Sequence, residues 1–326
     1  MHILGIDIAK DSLDATLRCP DGSSHYQSFD NQPAGFLLLQ DWLSQHGVSA
    51  LHACMEATNT YWLALAEWLH AQGYRVSVVN PSRIKGYAQA QMQRTKTDKL
   101  DSALIADFCR SHRPEPWQPL SEDQQNLRAL VRHREDLLQT RLQQTNRLQT
   151  SQSELVRRSL QAVLDVVKEQ LAEVEQAIKQ QLASQQRQQS DLLLLTSIVG
   201  ISVVTAAKLL AEYGEMGSYA SAKALVADAG LNASHFQSGS SVRRRSRMSK
   251  QGKTLIRAAL YMPAQTAMRC SPEFKERVAQ LKARGKPWKV ILVAVMRKLL
   301  HICYGVLKHR TPFDPAKAFG RAPAAT

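Results

Sequence analysis

The sequence predicts an α/β N-terminal domain, long coiled-coil helices after it, and a mainly α-helical, strongly basic C-terminal domain. Three observations carry that reading. Short apolar runs alternate with helix-period segments through residue 113, the stretch 120–199 contains neither Gly nor Pro, and the surplus of positive charge lies after residue 190. Strands that alternate with helices build layered α/β sheets, and an unbroken polar stretch with an apolar seam builds long helices.

Ile3–Ile8 is a short apolar run and Leu13–Leu17 a second, with Pro20-Asp21-Gly22 as the turn that closes a hairpin to a third strand at His25–Phe29. Phe36–Leu43 has helical spacing and stops before Gly47. The strand Ala50–Met55, the helix Tyr61–Ala71 and the strand Arg75–Val79 follow, the last running into Asn80-Pro81. Leu100, Leu104, Ile105 and Phe108 then recur at helical spacing up to Cys109. Pro114, Pro116 and Pro119 mark a linker, so the first domain spans 1–113.

In the segment 120–190, Leu164, Val167, Leu171, Val174, Ile178 and Leu182 are spaced by three and four, a coiled-coil seam. A hairpin within one chain and pairing between two chains satisfy that seam equally. The third domain, 191–310, opens with Leu193–Ile198 and a small-residue helix through Ala206, Ala207 and Leu210. It closes with an amphipathic helix, Lys289–Leu307, whose Arg297 and Lys298 lie on the polar face. Residues 311–326, with Pro312, Pro315 and Pro323, read as a poorly ordered tail.

The net charge is +14, and residues 191–326 alone hold 22 Lys/Arg against 7 Asp/Glu. A field so concentrated raises the encounter rate with a polyanion, which makes nucleic acid the expected partner. The five cysteines are scattered and form no C-x-x-C pair, so neither a disulfide framework nor a zinc site is indicated. No apolar run approaches the roughly 20 residues of a membrane span, and the N-terminus has no basic flank or cleavage site. A cytoplasmic, nucleoid-associated protein without a membrane partner is expected.

Four acids stand out. Asp7 interrupts the apolar run Gly5-Ile6-Asp7-Ile8-Ala9, where an ionised carboxylate is costly without a cation or donor. Glu56 ends the strand Ala53-Cys54-Met55-Glu56, and Asp98 and Asp101 share one face at the start of a helix. Singly, Glu56 reads as a strand-end cap and Asp98 as an acid favoured by the helix dipole. Converging, the four would repel unless divalent cations neutralised them. Mg2+ binds through few carboxylates and leaves room for phosphate oxygens. Two such ions about 4 Å apart clamp the attacking and leaving oxygens of phosphoryl transfer. The order of these acids resembles the RNase H-like fold of the RuvC group of nucleases.

A second constellation lies in the basic block. Gln237-Ser238-Gly239-Ser240-Ser241-Val242 runs into Arg243, Arg244, Arg245, Arg247, Lys250 and Lys253, with Arg257 beyond. A Ser-Gly pair permits a sharp bend that exposes the hydroxyl, and guanidinium groups grip phosphate bidentately. On the residues alone, a nucleophile and a phosphate-binding loop in which Ser238 only donates a hydrogen bond are equally served, since a serine hydroxyl needs activation to attack.

Over nearly its full length the chain resembles the DEDD recombinases of the bacterial insertion-sequence one-ten family, the bridge-RNA-guided transposases. The likeness rests on four motifs in order: Gly5-Ile6-Asp7 with Ala9-Lys10; Glu56-Ala57-Thr58 with Tyr61; Lys96-Thr97-Asp98-Lys99-Leu100-Asp101; and Ser238-Gly239-Ser240-Ser241-Val242-Arg243 with Ser246-Arg247-Met248-Ser249-Lys250. Arg257-Ala258-Ala259-Leu260-Tyr261-Met262-Pro263 extends it. Asn59 stands where a Gly is common, and Arg244 where a Gly often follows the motif's Arg.

The resemblance implies an RuvC-like domain, a coiled-coil insertion and a C-terminal transposase domain. It gives Asp7, Glu56, Asp98 and Asp101 the metal-cluster roles and Ser238, by its Ser-Gly match, the catalytic-serine role. It further implies Mg2+, up to two ions per site, and a covalent serine–DNA intermediate with no nucleotide cofactor. Donor and target duplexes and a noncoding bridge RNA are the implied partners, engaged by a homo-oligomer in which dimers assemble into a tetramer. Arg243, Arg244, Arg245, Arg247, Lys250, Lys253 and Arg257 are the expected nucleic-acid contacts. The alternative is a RuvC-like metal-dependent nuclease, such as a junction resolvase, without a serine nucleophile. A binding protein with merely structural acids is the non-enzymatic rival.

Overall fold

The computed structural model describes residues 1–92, 95, 97–234, 237–238, 242–243 and 247–320. The chain divides into two compact units, Met1–Leu120 and Ser121–Thr326.

The first unit is built on a five-stranded sheet: β1 (His2–Ile8), β2 (Ser12–Arg18), β3 (Ser24–Asp30), β4 (Leu51–Glu56) and β5 (Arg75–Val79), in the order β3-β2-β1-β4-β5. β1, β2 and β3 form an antiparallel meander, while β4 and β5 run parallel to β1. Helices α1 (Pro33–Gln45), α2 (Leu63–Ala71), α3 (Pro81–Ala90) and α4 (Asp98–His112) supply the crossovers and cover. All five expected strands are present, and so is the hairpin turn, where Gly22 has φ +91°. Helix α3 was missed by periodicity because only Ile84 of its side chains is buried.

β1 reads as a near-continuous apolar run because both of its faces are covered. Leu4, Ile6 and Ile8 point into a core shared with Phe36 and Leu39 of α1 and Leu65 of α2. Ile3 belongs to a separate core with Ile84 of α3 and Ile105 and Phe108 of α4. Burying a side chain such as Leu4 or Ile6 contributes about 1.5–3 kcal/mol. Gly5 and Asp7 share the Ile3 face, since alternate strand residues point the same way.

The second unit begins with two long helices, α5 (Glu122–Thr150) and α6 (Glu154–Ser184), which the Ser151–Ser153 break folds into an antiparallel hairpin. Asn126 bonds Gln181 and Arg134 bonds Glu175 across it. Val167, Leu171, Val174, Ile178 and Leu182 are the buried face of α6, while Leu164 of the expected seam is only half-buried. The hairpin does not stand apart as a unit of its own. The buried carboxylate of Glu212 binds Arg128 and Arg132 of α5, joining the hairpin to α8 (Val203–Tyr213).

Helices α7 (Gln186–Thr196), α8, α9 (Ala222–Asp228), α10 (Thr254–Cys270), α11 (Pro272–Ala283) and α12 (Trp288–His309) close the main helical core. Among the described residues α12 is the one helix long and apolar enough by composition to cross a bilayer, although Arg297 and Lys298 interrupt its apolar run. Its Ile291, Val295, Leu299, Leu300 and Cys303 are buried among the other helices, as in a core helix. Within the expected tail, α13 (Pro315–Phe319) sets Phe319 edge-on against Phe274 at 5.1 Å, and Lys298 bonds the carbonyl of Ala318; residues 321–326 lie outside the described residues. One aromatic contact and one hydrogen bond hold this segment despite its prolines.

Candidate active site

Sheet register decides where the first two acids lie. β1 and β4 pair in parallel from His2↔Leu51 to Ile6↔Met55, and one further step sets Asp7 beside Glu56. Neighbouring residues of a parallel pair point to the same face, and here it is the face that α4 covers. The β4 chain end is shaped by Thr58, which donates to Glu56 Oε1 at 3.1 Å. Asn59 then adopts φ +51°, the left-handed region Asn tolerates better than most residues, which explains how it stands where Gly is common.

α4 brings the second pair of acids to the same end of the sheet. Its first turn is capped by Thr97, whose hydroxyl accepts from the Leu100 N–H at 3.3 Å, and it carries Asp98 and Asp101. Further along, Ser102 bonds Thr16 of β2 at 2.8 Å and Cys109 reaches the His52 carbonyl of β4. Thr16 pairs with Gly5, and His52 with Ile3. The helix therefore runs toward the start of β1, and its first turn lies toward the end that carries Asp7 and Glu56. Arg18 of β2 holds the far side of α4 through Asp107 at 2.9 Å.

The close approach of α4 depends on Gly5. A Cβ there would lie 2.2 Å from both the Ala106 nitrogen and the Ser102 carbonyl oxygen. Helix backbone thus sits directly on strand backbone.

A further carboxylate lies beside them that the sequence reading did not single out. Asp14 of β2 is paired with Asp7 and is buried. Tyr26 donates to it at 2.5 Å, and its phenol is pushed up to about 12, first by that hydrogen bond, then by burial and the charges of Asp14 and Asp98. The period-2 pattern of Leu13-Asp14-Ala15 would have been the signal, since a carboxylate facing a covered sheet face demands a partner.

The four expected acids thus share one end of one sheet face, but not one coordination sphere. Among the described residues, no three His, Cys, Asp or Glu side chains are gathered tightly enough to hold a metal ion. Carboxylates without a cation between them are not expected to crowd together. In donor chemistry and backbone placement the set suits a divalent cation: hard oxygen ligands on two strand ends and one helix turn.

The serine lies in the second unit, on an excursion between α9 and α10. Two short ladders define it: β6 (Ala233–Ser234) pairs with β9 (Arg247–Met248), and β7 (Gln237–Ser238) pairs with β8 (Val242–Arg243). Ser238 pairs with Val242, so only three residues separate the two. Of the expected basic contacts, Arg244 and Arg245 lie outside the described residues, and Arg243 is placed on β8. Arg247 and Lys250 are exposed. Lys253 instead binds Asp228 at 2.9 Å and lies 4.4 Å from the Tyr213 ring. Arg257 spends its donors on the carbonyls of Ala229 (3.0 Å) and Gly252 (2.9 Å) and on Thr254 Oγ1 (2.8 Å).

Comparison with known proteins sets these two regions in one family. Residues 4–155, which include all four acids, match the transposase model of the IS110 DEDD type, and residues 192–279, which include Ser238, match the model described as transposase IS116/IS110/IS902 family. The chain belongs to the IS110 transposase family. It is 35% identical over 316 residues to the pilin gene-inverting proteins of Moraxella bovis and Moraxella lacunata, covering 95% of this chain and 97% of each of theirs. As an IS110 transposase it is a DNA-processing enzyme of the site-specific recombinase class. Its DNA partner accounts for the one-sided basic charge.

Proposed function

We propose that this IS110 transposase joins donor and target DNA through a covalent Ser238–DNA intermediate, assisted by a Mg2+-binding cluster of Asp7, Glu56, Asp98 and Asp101. The observation that supports the proposal is backbone placement: Asp7 and Glu56 stand on adjacent strand ends, and the capped first turn of α4 carries Asp98 and Asp101 toward the same end of the sheet. The sheet order β3-β2-β1-β4-β5 supports an RuvC-like reading of the first unit.

Asp7, Glu56, Asp98 and Asp101 would hold the metal, which when bound supplies positive charge against the negative charge that develops on phosphate oxygens. The protein's own groups do the rest. The Ser238 oxygen attacks phosphorus, forming a serine–phosphate ester as one phosphodiester P–O bond breaks. The serine proton passes to solvent, and the departing deoxyribose oxygen takes up a proton. Attack by a hydroxyl of the second duplex then reverses the exchange, freeing Ser238 and leaving a recombined strand. Bond number is conserved, so no ATP is consumed. Arg243, Arg244, Arg245, Arg247 and Lys250 supply phosphate contacts that position the strand without reading its sequence. In this reading a noncoding bridge RNA chooses donor and target, which suits a chain with abundant phosphate-binding charge. Bringing two duplexes together calls for more than one serine, and hence for a homo-oligomer, dimers assembling into a tetramer.

The test is a recombination assay with Mg2+, labelled donor and target DNA, and RNA from the flank of the protein's own element. Asp7→Asn and Glu56→Gln should each lower the rate by about a hundredfold or more, by analogy with the loss of one preorganised electrostatic group. Their melting temperatures should stay near the wild-type value. Wild-type rates in both variants would refute the cluster, and metal-dependent free ends without recombinants would favour the nuclease reading.

A further inference from the structure

The excursion that bears Ser238 leaves the helical core at Ala229 and returns to it at Gly252, and one side chain grips both ends. Arg257, on the first turn of α10, donates from a single Nη1 to the carbonyls of Ala229 and Gly252, while Nη2 bonds Thr254. Its neighbours Ile256 and Leu260 are fully buried, so the guanidinium is carried by a helix anchored in the core.

The rest of the neck is closely fitted. The Lys250 N–H bonds the Gly230 carbonyl at 3.1 Å and the Lys253 N–H bonds that of Asp228 at 2.9 Å. A Cβ on Gly252, which has φ +144°, would lie 2.0 Å from the Asp228 carbonyl oxygen. One step outward, Ser249 bonds Asn232 through both backbone and side chain, at 3.0 and 2.5 Å. Beyond that come the β6–β9 and β7–β8 ladders.

We propose that Arg257 is a positioning residue for Ser238, locking the neck of the serine-bearing hairpin rather than gripping DNA. The inference rests on Ser238 as nucleophile. Ser238 lies six positions beyond Asn232, a reach of at most roughly 20 Å along the chain. Over such a lever, a tilt of about 3–5° at the neck displaces the tip by roughly 1–2 Å, and misplacement of about 1 Å can cost a hundredfold in rate. A guanidinium is suited to the task because its donors are fixed in one plane, whereas an ammonium on the same helix turn is a single point of contact.

The experiment compares full-length wild type, Arg257→Lys and Ser238→Ala with labelled donor and target DNA, Mg2+ and the flanking RNA. Three quantities are read: the single-turnover rate of DNA–protein adduct formation, the DNA Kd as a function of salt, and the melting temperature. Arg257→Lys should keep its Kd within about twofold and its salt slope unchanged, while adduct formation slows about a hundredfold. A wild-type adduct rate overturns the inference. So does weaker binding that accounts for the whole loss, with the salt slope reduced by about one, because that is the signature of a phosphate contact. Should Arg257→Lys lower the melting temperature by more than a few degrees, Thr254→Val carries the test, with an expected loss of about tenfold and the wild-type rate again decisive against it. An adduct that persists in Ser238→Ala defeats the serine reading itself, an outcome distinct from either.

Discussion

Ser238→Ala is expected to abolish strand joining while leaving DNA binding intact. Removing the atom that forms the covalent bond costs far more than removing a hydrogen bond; loss of a nucleophile in comparable two-step enzymes lowers turnover by on the order of 10⁴ or more. Binding should change by no more than about twofold, because one neutral hydroxyl adds little to a block whose charged groups release counterions from DNA. Ser240→Ala and Ser241→Ala serve as controls, and each should retain activity within about tenfold, the effect of a lost hydrogen bond. Single-turnover rates alongside filter-binding affinities decide the matter. Should Ser238→Ala recombine at the wild-type rate, the serine acts only as a phosphate ligand. Should Ser240→Ala or Ser241→Ala be the inactive variant, the nucleophile is one of those neighbours.

Gly5→Ala is expected to be nearly as damaging, although it removes nothing chemical. The added methyl would lie 2.2 Å from two backbone atoms of α4, and backbone cannot swing aside as a flexible side chain can. Either the helix lifts from the sheet or β1 distorts. Overpacking of this kind costs typically 1–3 kcal/mol and more where backbone must move, so about 3 kcal/mol or more is expected. The lift would also carry Asp98 and Asp101 away from Asp7 and Glu56, and activity should fall even at temperatures where the variant remains folded. Urea denaturation of the full chain, followed by tryptophan fluorescence, measures the first effect and the recombination assay the second. Wild-type stability together with wild-type activity would show that α4 does not need this close contact.

Much of the first unit was legible because its code is local. The hairpin turn, the alternating strands and the apolar spacing of α4 are written in neighbouring residues, and β1 announced its burial on both faces by its unbroken apolar character. Asp7 and Glu56 could be singled out for the same reason: each is a charge in a segment that otherwise excludes charge. What stayed hidden depends on register. Asp14 became notable only once it proved to be paired with Asp7, with Tyr26 as its partner. Five of the six seam residues of α6 are buried, but only the three-residue break at 151–153 folds the helix back on α5.

The basic block shows the same limit from the opposite side. A run of Arg and Lys reads as a single phosphate-binding surface, because nothing local distinguishes a guanidinium that faces solvent from one turned inward. Arg257 turns inward to the carbonyls of Ala229 and Gly252, and Lys253 to the carboxylate of Asp228. In the described part of the tail, residues 311–320, prolines speak for local stiffness, while Phe319 finds a distant partner in Phe274.

The most direct measurement is to quench a recombination reaction in denaturant, digest the protein and locate the nucleotide-bearing peptide by mass spectrometry. The account predicts one DNA-linked peptide, modified at Ser238, that accumulates with Mg2+ and is absent when the metal is chelated. Recombinant DNA formed with no protein-linked intermediate, or with the DNA attached to a residue other than Ser238, would contradict it.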